Sequence, residues 1–134
     1  MGQDRGMTDY TVKNLKEDVP NAAEQFGIEE MEARFGRKAL DLGSFGFSYQ
    51  KLAPSYRQGF GHFHKQQEEA YVILSGTGRV KVGDDIVDLK EWDVIRVSPN
   101  VTRQFESGPD GLELIAIGGQ PSGDTEMVEG WWTD

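Results

Sequence analysis

Residues 62–76 read HFHKQQEEAYVILSG, and the fold turns on how this stretch divides. His62 and His64 stand at i and i+2, so on a strand both imidazoles project to one face. The polar run Lys65-Gln66-Gln67-Glu68 reads as a bend. A bend of that length can return Glu69, on the adjoining strand, beside the two rings. Residues 70–74 are almost wholly apolar, which predicts a central strand buried on both sides. Ser75-Gly76-Thr77-Gly78 then predicts a turn.

Working outward, the same period of two recurs. Phe45, Phe47, Tyr49 and Leu52 predict a strand closed by Ala53-Pro54, and residues 60–64 predict a second. After the 75–78 turn, residues 79–82 alternate like a hairpin partner, Gly83-Asp84-Asp85 turns the chain, and 86–89 pairs back. Residues 94–97 follow, Pro99-Asn100 turns, 103–105 is a short strand and 112–117 the last clear one. That is about eight short strands with no strand–helix–strand rhythm, which predicts an all-β closed antiparallel sandwich or jelly roll.

Ahead of the barrel, Asn21 is placed to cap a helical turn through Gln25 that ends at Gly27. Ile28, Met31 and Phe35 recur at helical spacing, which predicts a surface helix over the barrel mouth. Tyr10-Thr11-Val12 is a candidate edge strand. The expected organisation is an N-terminal tail and short helical segment over 1–44, a barrel core over 45–117 and a C-terminal tail over 118–134. The adjacent Trp131 and Trp132 are expected to pack back on the barrel or on a second copy.

Composition narrows the function. Over 134 residues, 23 acidic against 14 basic side chains give a formal charge of −9, which disfavours nucleic acids and anionic membranes. With no cysteine, thiolate metal sites, disulfides and Cys nucleophiles are excluded. Any metal must rest on His, carboxylate and water. No run reaches the ~18 apolar residues of a membrane helix. MGQDRGMTDY lacks the apolar core of a secretion signal, so a cytoplasmic location is expected, with Met7 an alternative start. No phosphate-binding Gly-rich loop, dinucleotide fingerprint or nucleophile elbow is present.

The chemistry-bearing constellation is therefore His62, His64 and Glu69, with Glu68 in reserve. Two imidazoles and a carboxylate with open positions suit one divalent ion, Fe, Mn, Zn or Ni. Tyr49, Tyr71, Gln66 and Arg57 are candidates to line the barrel mouth.

The segment 62–76 resembles the first motif of the cupin superfamily: His-x-His, three or four residues, Glu, six residues, Gly. Here four residues separate His64 from Glu69, and six separate Glu69 from Gly76. Tyr56 stands where the family often has Gly. Residues 89–105 resemble a degraded second motif, with Trp92-Asp93 for Gly-Asp and Asn100 for the turn Gly. Arg103 falls where that motif has its fourth ligand, a His, and keeps the spacing to the aromatic Phe105; a looser alignment puts Gln104 there. The resemblance implies a double-stranded β-helix with the site inside the barrel and a homodimer. Arg103 has no lone pair to give a metal. It is placed either to hold an anionic ligand above a three-ligand site or to pair with Glu69 in a metal-free pocket.

Two functions fit these residues. One is a barrel that binds a small, anionic organic ligand, held by Arg103, Tyr49, Tyr71 and Gln66. The other is a metal-dependent enzyme, of dioxygenase or isomerase type, acting on a small organic acid. A structural dimer with a vestigial pocket is the third and least specific.

Overall fold

The computed structural model describes residues 9–119 and 123–134, so the alternative start at Met7 lies outside the described residues. The chain forms β1 (Met31–Phe35), β2 (Gly46–Leu52), β3 (Phe60–His64), β4 (Glu69–Val82), β5 (Asp85–Leu89), β6 (Val94–Val97), β7 (Arg103–Gly118) and β8 (Thr125–Glu129). Of two one-turn helices, α1 (Ala22–Gln25) precedes β1 and α2 (Gly36–Leu40) lies between β1 and β2. The eight strands make one curled antiparallel sheet, a jelly-roll half-barrel with a short N-terminal helical segment, as the sequence predicts.

Two long bent strands build the curl. β4 pairs β7 along most of its length, with register shifts between Ile73 and Ser75 and between Gly76 and Gly78. The 75–78 stretch is thus not a turn but a bulged corner inside one strand. Residues 79–82 continue that strand, and 103–105 and 112–117 are likewise two halves of β7. Gly76 carries φ +82°, and a Cβ there would lie 2.1 Å from the Gly111 carbonyl oxygen, so the corner needs the missing side chain. β5 pairs the far half of β4, and β6 the near half.

Inside the curl, Leu52, Tyr71, Ile73, Val80, Phe105, Leu112 and Leu114 form the core. Ala70 and Val72 are only half-buried, so β4 is covered on one face and not, as its apolar run suggested, on both. The extra apolar residues point to the outside of the sheet.

The largest departure lies before the barrel. Asn21 caps α1 through Ala23 N–H and Gly27 follows with φ +71°, as expected. Met31–Phe35, however, is a strand paired to β2, with Met31 opposite Leu52 and Phe35 opposite Ser48. The apolar set has period two, Met31, Ala33 and Phe35 inward against Glu32 and Arg34 outward. Over so short a run both periods fit, and pairing to β2 decides. Tyr10-Thr11-Val12 forms no strand. At the other end, the segment read as a tail supplies β8, which pairs β3. Trp132 is buried with its ring 4.0 Å from the Arg57 guanidinium, and Trp131 lies beneath Lys81, so both pack back on the barrel. No helix among the described residues is long and apolar enough to cross a membrane.

Candidate functional site

β3 places His62 and His64 on its inner face, their rings edge-on at 5.3 Å between centroids. β4 begins at Glu69, and the bend between the strands brings its Oε1 to 3.2 Å from His64 Nε2 and 3.8 Å from His62 Nε2. The three possible ligand atoms lie within 4.8 Å of one another. The bend also folds over Asp124, whose Oδ2 accepts hydrogen bonds from the Gln66 and Gln67 N–H groups.

Asp124 is the residue that sequence reasoning missed. Its Oδ1 lies 2.9 Å from His64 Nδ1. With the Nδ1 proton directed at that carboxylate, Nε2 carries the free lone pair. That buried Nε2 has no hydrogen-bond partner, although Glu69 Oε1 is close.

Behind Glu69 lies Arg103, fully buried at 0% exposure. Register pairs it with His62, so the two side chains leave the sheet on one side. Its Nη2 donates to Glu69 Oε1 at 3.0 Å, its Nε to Tyr71 Oη at 2.9 Å and its Nη1 to the Val101 carbonyl at 2.8 Å. Tyr71 in turn donates to Glu69 Oε1. Arg103 and Tyr71 thus pin Glu69 from beneath, and neither lines the cavity above. Gln104 points the other way and donates to the Gln58 carbonyl.

These contacts set the charges. Burial pushes Glu69 up, but the adjacent His62, His64 and Tyr71 side chains outweigh it and hold the carboxyl far below the usual range. Burial also opposes protonation of His64, and the Glu69 and Asp124 carboxylates overcome it, raising the ring above its ordinary value. Burial raises the Tyr71 phenol, and the Glu69 charge adds to that. An ionised carboxylate therefore faces an imidazole that favours its charged form.

A cavity of about 540 Å³ opens above this floor. Ser48 and Gln50 of β2 and Thr125 of β8 flank it, and Tyr56, in the position the motif gives to Gly, lines it. Tyr49 does not. It lies on the opposite face of β2, under Lys16, and donates to Glu113. Gln66 is exposed on the bend and meets Asp124 through its backbone, and Arg57 binds Glu106 and the C-terminal segment. Glu68 turns away to Arg96.

The cupin domain family's sequence profile matches residues 48–118. Among curated proteins none matches. Solved structures are similar over nearly the whole chain. A cupin protein from Bacteroides fragilis superposes with a TM-score of 0.71 at 24% identity, covering 94% of this chain and 93% of that one. A Streptomyces nucleoside dehydratase gives 0.67 at 16%, covering 91% of each. An oxalate decarboxylase from Lactobacillus farciminis gives 0.68 at 20%, covering 84% of this chain and 34% of its own. At these identities the likeness is one of fold.

Proposed function

Because the chain belongs to the cupin domain family, we propose that it is a small-molecule-binding barrel whose floor, His62, His64 and Glu69, holds one divalent metal ion beneath the ligand. One observation carries this reading: in the neutral His64 ring the buried Nε2 lone pair lacks a hydrogen-bond partner and lies beside an ionised carboxylate. A buried lone pair without a partner is rare, and a cation satisfies it. Two imidazoles and a carboxylate suit Fe, Mn, Zn or Ni. Asp124 on Nδ1 supports the assignment, because a carboxylate there fixes the tautomer and raises the basicity of the coordinating nitrogen. Arg103 offers no fourth protein ligand, which leaves positions open to a bound molecule. An ion held there would act as a Lewis acid on a ligand oxygen. Arg103 itself is assigned to hold Glu69 in place rather than to touch the ligand.

Calorimetric titration of chelator-stripped protein with Fe(II), Mn, Zn and Ni tests this reading. One ion per chain is expected for at least one metal, with uptake lost in His64→Ala. A wild type that takes up none of the four overturns it.

Catalysis is the second reading, favoured by the opposite pull on Glu69 and His64. A proton-retaining imidazole beside an ionised carboxylate at a cavity floor is the pattern of an acid–base pair. Without a metal its concrete form is an isomerase acting on a small organic acid; with one, His64 gives up that proton and the isomerase or dioxygenase is metal-dependent. The dehydratase and the decarboxylase among the structural relatives place enzymes on this fold.

A second copy is the partner we assign to the outer face of the sheet. Val72 stands between Val94 and Ile115 in register, and Ala70 between Arg96 and Ile117. Val94 is 66% exposed and Ile117 39%, an apolar strip that a homodimer would cover. Light scattering is expected to return twice the chain mass and to fall to one chain for Val94→Glu. A monomeric wild type removes the claim.

A further inference from the structure

The cavity has two unlike halves. Its floor is polar, while the wall facing it is apolar and comes from residues 22–35, outside the stretch that matches the cupin domain. Phe26, Ile28, Met31 and Phe35 form that wall. Phe26 is 78% and Phe35 55% exposed, so two aromatic rings stand open at the cavity mouth. The wall is held firmly. Asn21 Oδ1 accepts from both Ala23 N–H and Ala33 N–H, tying α1 to β1, and Arg34 donates to the Val19 carbonyl at 2.6 Å.

Charge completes the picture. Among the described residues, no Lys or Arg side chain lines the cavity, and the nearest guanidinium, Arg103, is spent on Glu69, Tyr71 and Val101. With a divalent ion on the floor, the ion and Arg103 outweigh Glu69 and Asp124 by one positive charge. One anionic group is therefore matched at the floor, and a second would lie against the apolar wall, where nothing offsets its desolvation.

We infer that the ligand is a monoanion with an apolar body, its head on the floor and its body against Phe26, Ile28, Met31 and Phe35. This rests on the metal reading for the head but not for the body. Small diacids and phosphate esters are disfavoured, and selection is exercised by the N-terminal wall.

Calorimetry on metal-loaded protein with acetate, butanoate, hexanoate and succinate tests it. Affinity is expected to rise about fourfold per methylene from acetate to hexanoate. Succinate is expected to bind at least tenfold more weakly than butanoate. Phe26→Ser, which removes a mostly exposed ring, is expected to cut the gain from butanoate to hexanoate by half or more. A flat series, or succinate as tight as butanoate, overturns the inference. If the protein takes up no metal, butanol and hexanol on metal-free protein read the wall by itself. A gain of about fourfold per methylene there upholds the apolar body while the metal reading falls, and a flat response overturns both.

Discussion

Replacing Arg103 with methionine is expected to lower unfolding free energy by about 3–5 kcal/mol and, in the protein that still folds, to tighten divalent metal binding at least tenfold. The two effects have one cause. Arg103 is fully buried, and Glu69, its partner at 3.0 Å, is mostly so. Removing the guanidinium leaves a carboxylate in the barrel without its fixed cation and strips Tyr71 Oη and the Val101 carbonyl of their donor. Leaving a buried charge unpaired costs more than the pair itself contributes. For an incoming metal the sign reverses, because the ion no longer meets a fixed positive charge next to its carboxylate ligand. Saturating metal should then restore part of the lost stability through mass action. Urea unfolding with and without metal measures both. The double variant Arg103→Met/Glu69→Gln carries no unpaired charge and should recover at least half of the loss. A single variant that loses less than about 1 kcal/mol would show that the His64 ring or solvent, not Arg103, compensates Glu69.

What could be read in advance, and what could not, follows from the range of the interactions. His62, His64 and Glu69 were legible because strand alternation and a four-residue bend act locally. The preference for Arg103 over Gln104 rested on the resemblance, through the motif's spacing to the aromatic Phe105, and strand alternation puts both on one side of β7 in the buried interior. Gly76 was visible as a special backbone position, but a bulge and a turn use the same residues, so β4 and β7 were each cut in two. Tyr49 was placed one residue out of phase. Ser48 and Gln50 face the cavity, and a one-residue shift moves a side chain through the sheet. Asp124 gave no local signal. It reaches His64 only because β8 pairs β3 with Thr125 opposite His64, a long-range contact between segments 60 residues apart. The apolar wall was seen as apolar and assigned the wrong period. Ile28, Met31 and Phe35 were picked out and Phe26 was not, and their geometry awaited β2.

Asp124→Ala is expected to reshape the pH dependence of stability of the metal-free protein, with the two ends moving for different reasons. In the wild type, burial of Asp124 works to raise its pKa, but the Gln66 N–H, His64 and the Gln67 N–H bring it down from an ordinary 3.8 to about 2. A carboxyl depressed in the folded state stabilises it fully above pH 3.8, and that contribution disappears as the pH falls towards 2. With solvent screening taken into account, this amounts to about 1 kcal/mol. His64 runs the other way. Raised above 6.5 in the folded state, it stabilises below that pH and loses its contribution as the pH climbs through the raised value. The wild-type profile should therefore crest between about pH 4 and 6.5 and decline on both sides. Without Asp124 the acid arm flattens and the alkaline arm shortens, because Glu69 alone then raises His64. Glu69 loses its own contribution in both proteins as the pH falls below 4.5, so the difference between them is the quantity to follow. It should reach about 2–3 kcal/mol near pH 5, the worth of hydrogen bonds to a charged group, and close below pH 2. A difference that stays constant on the alkaline side, as the pH climbs from about 6 to 8, would mean that Asp124 acts through the Gln66 and Gln67 N–H groups alone and does not hold His64. The same variant should then keep its metal affinity, whereas a genuine clamp on Nδ1 predicts a loss of about 10- to 100-fold.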